Sequence, residues 1–348
     1  MNRKGIILIL MSAFTAAAAI AGKPDSLRHS EEKHFRNIRQ LTFGGRNAEA
    51  YFAFGEKQLI FQSTRPPYEC DQIFTMDLHG SNQRLVSTGK GRTTCAYFFP
   101  GDKRILFAST HGHGDGCPPP PDKSKGYVWG VFNDYDLYAA DTDGSNLKVL
   151  SASKGYDAEA TISPNGRKIV FTSTRDGDLD LYTMNLNGSG VRRITNELGY
   201  DGGAFFSWDG KMIVYRGYHP KDSVEVAEYR ALLAEQLVKP SKMEIFVCDA
   251  DGMNRKQLTN TGTANFAPFF HPDNKRIIFA SNVKDPRGRN FELYMMNVDG
   301  SNLEQITFGG HFNAFPMFTR DGKKLVFISD RNAQGSYEFN VFLADWVE

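Results

Sequence analysis

The sequence has no excess of charge of either sign. Its 348 residues contain 41 Lys and Arg against 40 Asp and Glu, so the formal net charge is only +1. Proteins that bind nucleic acid or an anionic membrane through their overall field carry a marked positive excess. The near balance therefore predicts that nucleic acid is not a partner.

Long apolar stretches are missing except at the amino terminus. Gly5–Ile20 is almost entirely apolar and follows a short basic start. This order is typical of a secretory signal peptide, with cleavage expected after Ala21. We expect residues 1–21 to be a signal peptide, residues 22–36 a polar tail, and residues 37–348 a periplasmic or extracellular domain without a transmembrane segment.

Motifs of several enzyme classes are also missing. The sequence has no Gly-x-Ser-x-Gly nucleophile elbow and no glycine-rich phosphate loop that follows a strand and opens a helix. These absences argue against an α/β-hydrolase and against a nucleotide-binding enzyme.

An internal repeat dominates the chain. A basic residue followed by a short apolar strand occurs six times, at 57–61, 103–107, 167–171, 211–215, 275–279 and 323–327. Asn-Gly or Asp-Gly turns precede several copies, a second apolar strand follows each, and most repeats end with another turn and a short strand. Six repeats of four short antiparallel strands predict an all-β fold, a six-bladed β-propeller.

The two ends of the chain indicate a closed ring. The sixth repeat stops after its third strand, at residues 340–346, and an extra strand at residues 38–42 precedes the first repeat. Pairing these two segments would complete the last blade and remove an exposed sheet edge. We therefore predict that the N-terminal strand closes the ring in the last blade.

Two loops between second and third strands are much longer than the others. These insertions, at about 111–133 in blade 2 and 219–242 in blade 4, are expected on the same face of the disc. The first is rich in Gly and Pro and then contains Tyr127 and Trp129, which we expect to face a ligand. The second is predicted to be a helix capped by Asp222, which either packs across the disc or binds a partner.

One register of the inner strands is polar in every blade. Its six members are Asn47, Thr93, Asp157, Asp201, Asn265 and Asn313. Such residues either cap the inner strands through local hydrogen bonds or bind a ligand at the channel mouth. In the second case Asp157 and Asp201 are adjacent around the ring and are candidate ligands of a divalent cation.

The four cysteines suit an exported protein, where disulfides persist. Cys117 lies in the blade 2 insertion and Cys95 begins the inner strand of the same blade, whereas Cys70 lies in the equivalent loop of blade 1. We expect a Cys95–Cys117 disulfide in preference to pairs that use Cys70. Cys248 is expected to be a buried thiol.

Catalysis at the channel mouth stays open as an alternative. Side chains able to support it are His111, His113, His219, His311, Glu49 and Glu159. Histidines and carboxylates gathered from several blades would favour a metal-assisted enzyme.

The repeat resembles the TolB-like β-propeller family, a WD-like repeat family. The closest copy of the family motif runs through Ser163–Arg167, Ile169–Ser173 and Leu181-Tyr182, and the resemblance covers about residues 37–346. The segment Cys117–Asp122 is similar to one found in a group of exported proteins built from the propeller alone. The resemblance implies the fold but no reaction, because the motif residues form turns and core.

These observations predict a secreted or periplasmic module that binds a protein or a small ligand through its insertion-bearing face and channel mouth. Two alternatives stay open. One is a metal-assisted carbohydrate-active lyase or hydrolase, and the other is a scaffold of an envelope or secretion complex.

Overall fold

The computed structural model describes residues 26–285 and 287–348. The predicted signal peptide and its cleavage site therefore lie outside the described residues. Within them the chain forms six four-stranded antiparallel sheets, one two-stranded sheet and one α-helix. The prediction of a six-bladed β-propeller is confirmed.

In the first five blades the strands follow the chain from the inner to the outer edge, and in the sixth the outer strand comes from the N-terminus. Blade 1 contains β2 (Arg46–Phe52), β3 (Gln58–Thr64), β4 (Gln72–Asp77) and β5 (Arg84–Leu85). Blade 2 contains β6 (Thr93–Phe98), β7 (Arg104–Ser109), β9 (Asp136–Asp141) and β10 (Lys148–Ser151). Blade 3 contains β11 (Asp157–Ile162), β12 (Lys168–Ser173), β13 (Asp180–Asn185) and β14 (Arg192–Arg193).

The second half of the ring repeats this order. Blade 4 contains β15 (Tyr200–Phe206), β16 (Met212–Tyr218), β18 (Glu244–Asp249) and β19 (Lys256–Gln257). Blade 5 contains β20 (Asn265–Phe270), β21 (Arg276–Ser281), β22 (Glu292–Asn297) and β23 (Glu304–Gln305). Blade 6 contains β24 (Asn313–Phe318), β25 (Lys324–Ser329), β26 (Asn340–Trp346) and β1 (Phe35–Gln40).

The core lies between the blades, and one aromatic pair recurs in all of them. Each pair joins the second strand to the third with ring centroids 5.5–6.2 Å apart. The six pairs are Phe61–Phe74, Phe107–Tyr138, Phe171–Tyr182, Tyr215–Phe246, Phe279–Tyr294 and Phe327–Phe342. Both faces of a blade are covered by its neighbours, so these middle strands read as continuous apolar runs.

The N-terminal strand closes the ring as predicted. β1 pairs antiparallel with β26, and Phe35 lies opposite Trp346. Phe35 is fully buried and stacks on Phe327, with ring centroids 5.3 Å apart. The Thr42 hydroxyl continues the contact beyond the strand by donating to Asn340 Oδ1 at 3.0 Å.

The described part of the predicted tail is held against the ring. β1 begins at Phe35, two residues before the predicted start of the folded domain. Ahead of it, the Glu32 carboxylate is fully buried and forms an ion pair with Arg331, with Oε1 and Nη2 2.7 Å apart. A buried carboxylate needs such a partner, so residues 26–36 differ from a free polar tail.

Every inner strand contains a β-bulge near its middle. The register shifts in each first-to-second strand pair, and one residue there has a positive φ. These six residues are Glu49, Cys95, Glu159, Gly203, Ala267 and Phe315. A bulge re-aims the side chain that it carries, and several of these side chains line a small cavity in the central channel.

The blade 4 insertion forms α1 (Ser223–Ala234), as predicted. The Asp222 side chain caps it by accepting hydrogen bonds from the backbone N–H groups of Val224 and Glu225. Tyr229 is the buried residue of this helix. Among the residues that the structure describes, no helix is both long and apolar enough to cross a lipid bilayer.

Candidate binding face

The six members of the predicted polar ring lie at the junctions between blades. All are at most 1% exposed. Asn47 donates to Gly44 O at 3.1 Å and to Phe339 O at 2.6 Å, which are backbone groups of adjacent loops. Asn265 donates in the same way to Met243 O at 2.9 Å. These contacts are those of residues that join one blade to the next.

An arginine clamps the ring residue in three blades. It stands one or two positions after the end of the second strand. Arg65 donates to Asn47, Arg175 to Asp157 and Arg331 to Asn313, at 2.7, 3.0 and 3.1 Å. In blade 4 the equivalent position is His219, which bonds to Asp201 at 2.9 Å, and in blade 2, whose ring member is Thr93, it is His111.

The two aspartates proposed for a cation already have protein partners. Asp157 accepts hydrogen bonds from the hydroxyls of Ser151 and Ser173 in addition to Arg175. Asp201 Oδ2 is buried without a hydrogen-bond partner among the described residues. In residues 26–285 and 287–348, no group of three or more His, Cys, Asp and Glu side chains is arranged to hold a metal ion. Cation binding at this pair stays a prediction.

Two blade junctions carry a pair of buried aspartates. Asp180 neighbours Asp201, and burial raises the pKa of Asp180 to about 7. The charge of Asp201 also raises this pKa, whereas the charge of Arg193 lowers it. Asp136 occupies the same position at the preceding junction, where burial also raises its pKa.

A histidine from each insertion contacts one of these junctions. His113 Nε2 lies 3.0 Å from Asp136 Oδ2, and His219 Nε2 lies 2.9 Å from Asp201 Oδ1. Burial lowers the pKa of His219, but its contacts with Asp201 and Glu197 outweigh this effect and raise it. The two insertions are therefore anchored to the ring through buried carboxylates.

The histidines near the channel mouth are engaged separately rather than as one cluster. His111 Nδ1 bonds to Ser109 at 2.8 Å, and His311 Nδ1 lies 3.6 Å from Asp330. His113 and His219 make the junction contacts described above. The hydrogen bonds and ion pairs of these four residues are with different side chains, and His219 also lies 3.3 Å from Glu197 in the crossing that leads into its blade.

The bulge residues, two positions after the ring, line the channel itself. Glu49, Cys95 and Glu159 contribute to a cavity of about 20 Å³, which is room for a water molecule. Burial raises the pKa of Glu49 to about 7, and the charge of Glu159 also raises it. A hydrogen bond with Cys95 and the charge of Arg216 lower the pKa but do not outweigh burial. Burial also raises the pKa of the Cys95 thiol, which is therefore neutral.

A charged cluster lies beside this cavity. The Glu159 carboxylate accepts hydrogen bonds from the Tyr200 hydroxyl at 2.8 Å and from the Gly203 N–H at 2.5 Å. Arg216 Nη2 lies 3.0 Å from Glu159 Oε1 and donates to the Tyr200 hydroxyl at 2.6 Å. Arg216 is only 9% exposed, and its Nε has no hydrogen-bond partner among the described residues.

Two glycines make room for the cluster. A Cβ on Gly202 would overlap the Tyr200 hydroxyl and Glu159 Oε2, and a Cβ on Gly203 would overlap Arg216 Nη1. Gly203 also has φ +59°. The Gly-Gly pair in an inner strand is the signal by which the sequence could have revealed Arg216, since glycine inside a strand often marks a close approach.

The two insertions meet over this cluster and form what we call the roof (residues 111–133 and 219–242). β8 (Trp129–Gly130) pairs antiparallel with β17 (Leu237–Val238). Lys125 Nζ lies 2.7 Å from Glu235 Oε1, and Asn133 N donates to Gln236 Oε1 at 2.8 Å. Both insertions therefore lie on one face, as predicted, and they hold each other.

The two aromatic residues predicted to face a ligand point to different surroundings. The Trp129 ring lies over the Arg216 guanidinium, 5.1 Å from its Cζ, and 6.3 Å from the ring of Phe266. Its Nε1 donates to the Tyr127 hydroxyl at 3.1 Å. Tyr127 itself is 70% exposed. Trp129 is thus a roof contact, and Tyr127 is presented to solvent.

The predicted Cys95–Cys117 disulfide is wrong. Cys117 is bonded to Cys70, with Cα atoms 5.9 Å apart. Cys95 is a free thiol because its bulge turns it toward the channel, away from the insertion. Cys248 is free and buried, as expected. The disulfide joins the blade 2 insertion to the equivalent loop of blade 1.

Three exposed aromatic residues lie on the insertion-bearing face. Phe43, Tyr127 and Tyr337 are 70–78% exposed. Phe43 lies in the crossing from blade 6 to blade 1, and Tyr337 lies in the neighbouring loop between β25 and β26. The loops are tied together, because the Gly44 N–H donates to Glu338 Oε1 at 3.1 Å. Exposed apolar side chains outside this face, such as Met253 and Leu303, lie near outer strands.

Comparison with protein families and known proteins agrees with this architecture. The model of the TolB beta propeller domain matches residues 130–238 and 231–345. A search of curated proteins finds no match.

Solved structures resemble the chain in fold. One is a protein of Agrobacterium tumefaciens described as a TolB, with 15% identity, TM-score 0.60, and 89% of this chain and 97% of that chain covered. TolB of Acinetobacter baumannii has 19% identity and TM-score 0.55, with 87% and 64% covered. An oligogalacturonate lyase of Vibrio parahaemolyticus has 13% identity and TM-score 0.53, with 88% and 79% covered. At these identities the likeness concerns the fold alone.

Proposed function

We propose that this chain, which belongs to the TolB beta propeller domain family, is an exported binding module. It recognises a protein partner through its insertion-bearing face. Export is supported by the signal-like N-terminus of the sequence and by the Cys70–Cys117 disulfide, since such bonds persist outside the cytoplasm. The periplasm or the extracellular space is the proposed location.

One observation carries the proposal: the most exposed aromatic side chains all lie on one face. Phe43, Tyr127 and Tyr337 leave at least 70% of their surface in water. Exposing three aromatic rings on one face is unfavourable in an isolated protein, whereas aromatic residues are enriched in the centres of protein interfaces. They supply large contact areas with few rotatable bonds.

The loops that carry these residues are already held in place. The disulfide fixes the blade 2 insertion, and the β8–β17 pair joins it to the helical insertion. The loop of Tyr337 is joined to that of Phe43 through Gly44 and through the Phe339 N–H, which donates to Gly45 O at 3.2 Å. A surface fixed in this way loses little conformational entropy when it binds.

The charge balance indicates how the partner is recognised. With a net charge of +1, the protein has no strong field to steer a charged partner. We therefore expect apolar contact to dominate the affinity and its dependence on salt to be shallow.

The test compares two sets of exposed side chains in the purified protein. The partner is first isolated from an envelope extract by cross-linking, and its Kd is then measured by calorimetry. We expect a Phe43→Ala, Tyr127→Ala, Tyr337→Ala triple variant to lose at least about 30-fold in affinity. The matched control is Met253→Ala with Leu303→Ala, two exposed apolar residues off this face, which should bind like the wild type. Equal binding by the triple variant, or loss only in the control, contradicts the proposal.

A further inference from the structure

A cavity of about 110 Å³ lies beneath α1, apart from the exposed aromatic residues of the proposed interface. Its floor is blade 4, its wall is the helix, and its far side is the segment that follows β17. Three tyrosines contribute to it, namely Tyr200, Tyr218 and Tyr229. Leu232 and Val238 complete the apolar part of the lining.

The two deepest tyrosines present ring carbon atoms to the cavity and keep their hydroxyl groups away from it. The Tyr200 hydroxyl is engaged by Glu159 at 2.8 Å. The Tyr229 hydroxyl lies 2.5 Å from Asp178 Oδ1. Both side chains are at most 4% exposed, so these hydroxyls stay in the buried network. The part of the cavity formed by Tyr200, Tyr229, Leu232 and Val238 is therefore apolar and accepts an apolar group.

The rim of the cavity carries charges of both signs. Lys239 Nζ lies 2.8 Å from Glu228 Oε1, and both residues line the cavity. Lys242 also lines it and forms a second ion pair with Glu225 at 3.0 Å. The side chains of Lys239 and Glu228 are about half exposed, at 46% and 49%.

Ion pairs of this kind add little to stability. Exposed pairs contribute between about 0 and 1 kcal/mol, because water screens them and both side chains lose freedom. Exchanging the partners of such a pair for the charges of a ligand therefore costs little. A ligand that carries both an ammonium and a carboxylate would replace both halves at once.

We infer that this cavity binds the zwitterion of a small apolar α-amino acid, with the carboxylate at Lys239 and Lys242, the ammonium at Glu228 and the side chain among the tyrosines. The cavity volume selects the size of that side chain. An engineered cavity of about 150 Å³ in another protein takes up benzene, so 110 Å³ suits a branched aliphatic group. Leucine, isoleucine and valine fit this description.

The experiment titrates the purified protein with L-leucine and with two analogues that each lack one charge. These are 4-methylpentanoate, without the ammonium, and 3-methylbutylamine, without the carboxylate. Calorimetry and thermal shift should both detect leucine, with each analogue at least about tenfold weaker. Equal binding of all three, or no detectable binding of leucine, isoleucine or valine at about 10 mM, overturns the inference.

Variants assign the effect to the cavity. Lys239→Met and Glu228→Gln should each weaken leucine at least about tenfold, because each removes one rim charge. Leu232→Trp should abolish binding by filling the cavity, and its fold is checked by circular dichroism. Lys211→Met removes an exposed lysine of the same blade outside the cavity and should bind leucine like the wild type. Unchanged binding in both rim variants would overturn the inference.

This test is independent of the proposed protein interface. The triple aromatic variant leaves the cavity lining intact, so it should bind leucine normally. Leucine binding without a protein partner, or the reverse, identifies which proposal has failed.

Discussion

The Trp129 ring covers the guanidinium of Arg216, with 5.1 Å between the ring centroid and Cζ. Trp129 comes from the blade 2 insertion and Arg216 from the second strand of blade 4. The contact therefore joins the roof to the charged cluster beside the channel. An arginine that is 9% exposed and stacked on an indole gains from both the ring quadrupole and the exclusion of water.

Replacing Trp129 by alanine should loosen the roof. We expect the free energy of unfolding to fall by about 2 kcal/mol, the value of a desolvated cation–π contact, with faster limited proteolysis of residues 111–133. Urea denaturation and peptide mapping measure the two effects. Val149→Ala, which removes an exposed apolar side chain from the outer strand of the same blade, should leave both unchanged within about 0.5 kcal/mol.

Gly203→Ala should destabilise the protein through Arg216. The new methyl group would occupy the position of Arg216 Nη1, and displacing that side chain leaves Glu159 buried without its ion-pair partner. A loss of about 3–5 kcal/mol is expected. Gly177→Ala is the matched control, because its φ is also positive, at +91°, and no atom lies within 4 Å of the added carbon. It should cost only about 1–2 kcal/mol.

Glu49→Gln should change how stability depends on pH. The pKa of Glu49 is raised from 4.5 to about 7, so the folded state prefers the protonated carboxyl group. Its contribution to stability is complete below pH 4.5 and is lost as the pH rises to about 7.

The glutamine variant cannot lose that proton. It should match the wild type at pH 4.5 and be more stable at pH 8 by about 3 kcal/mol. Guanidinium denaturation at both values measures the difference. Glu69→Gln, which removes an exposed carboxylate, should run parallel to the wild type, and a parallel Glu49 variant would contradict this explanation.

Removing the Cys70–Cys117 disulfide should destabilise the ring. The bond spans 47 residues, and closing a loop of that length in the unfolded chain is worth about 4 kcal/mol by the chain-entropy model. A Cys70→Ala, Cys117→Ala variant should lose up to that amount. The Cys95→Ala variant should keep the bond, which peptide mapping without reducing agent can verify. A Cys95-containing disulfide peptide from the wild type would refute the pairing.

Ring closure can be tested with two phenylalanines near the N-terminus. Phe35 is fully buried between β1 and the last blade, whereas Phe43 is 78% exposed. Phe35→Ala should cost about 3–5 kcal/mol, and Phe43→Ala less than about 0.5 kcal/mol. Comparable losses in the two variants would mean that β1 does not hold the ring closed.

The repeat predicted the fold because each blade uses the same turns and the same aromatic pair. The capped helix after Asp222 and the closing strand also follow from local chemistry and from counting strands. The helix cap depends on residues close together in the sequence, and the closing strand follows from a strand pattern that is repeated six times. The insertions could be assigned to one face because strand direction alternates within every blade.

The channel lining could not be obtained from the same pattern. The polar register at Asn47 and Asp157 was expected at the channel mouth, but its members are buried between blades. Bulges shift the register, so the channel is lined two residues later, at Glu49 and Glu159. Only one of the six bulge residues, Gly203, is a glycine, and five bulges therefore have no glycine to reveal them.

The prediction of the disulfide was wrong for the same reason, namely a bulge in an inner strand. Cys95 belongs to the blade that carries Cys117, but its bulge turns the thiol to the channel. Cys70 belongs to another blade and still lies closer, because equivalent loops of adjacent blades are neighbours around the ring. Proximity along the chain was a poor guide to proximity between blades.

The antiparallel closure has a mechanical consequence. Phe35 at the start of β1 lies opposite Trp346 at the end of β26, so a force applied to both ends of the chain acts on the same end of this strand pair. Its hydrogen bonds would then be loaded one after another, as in a zipper, rather than all together in shear. The β1–β26 pair that closes the ring is thus the place where a pulling force would separate the strands first.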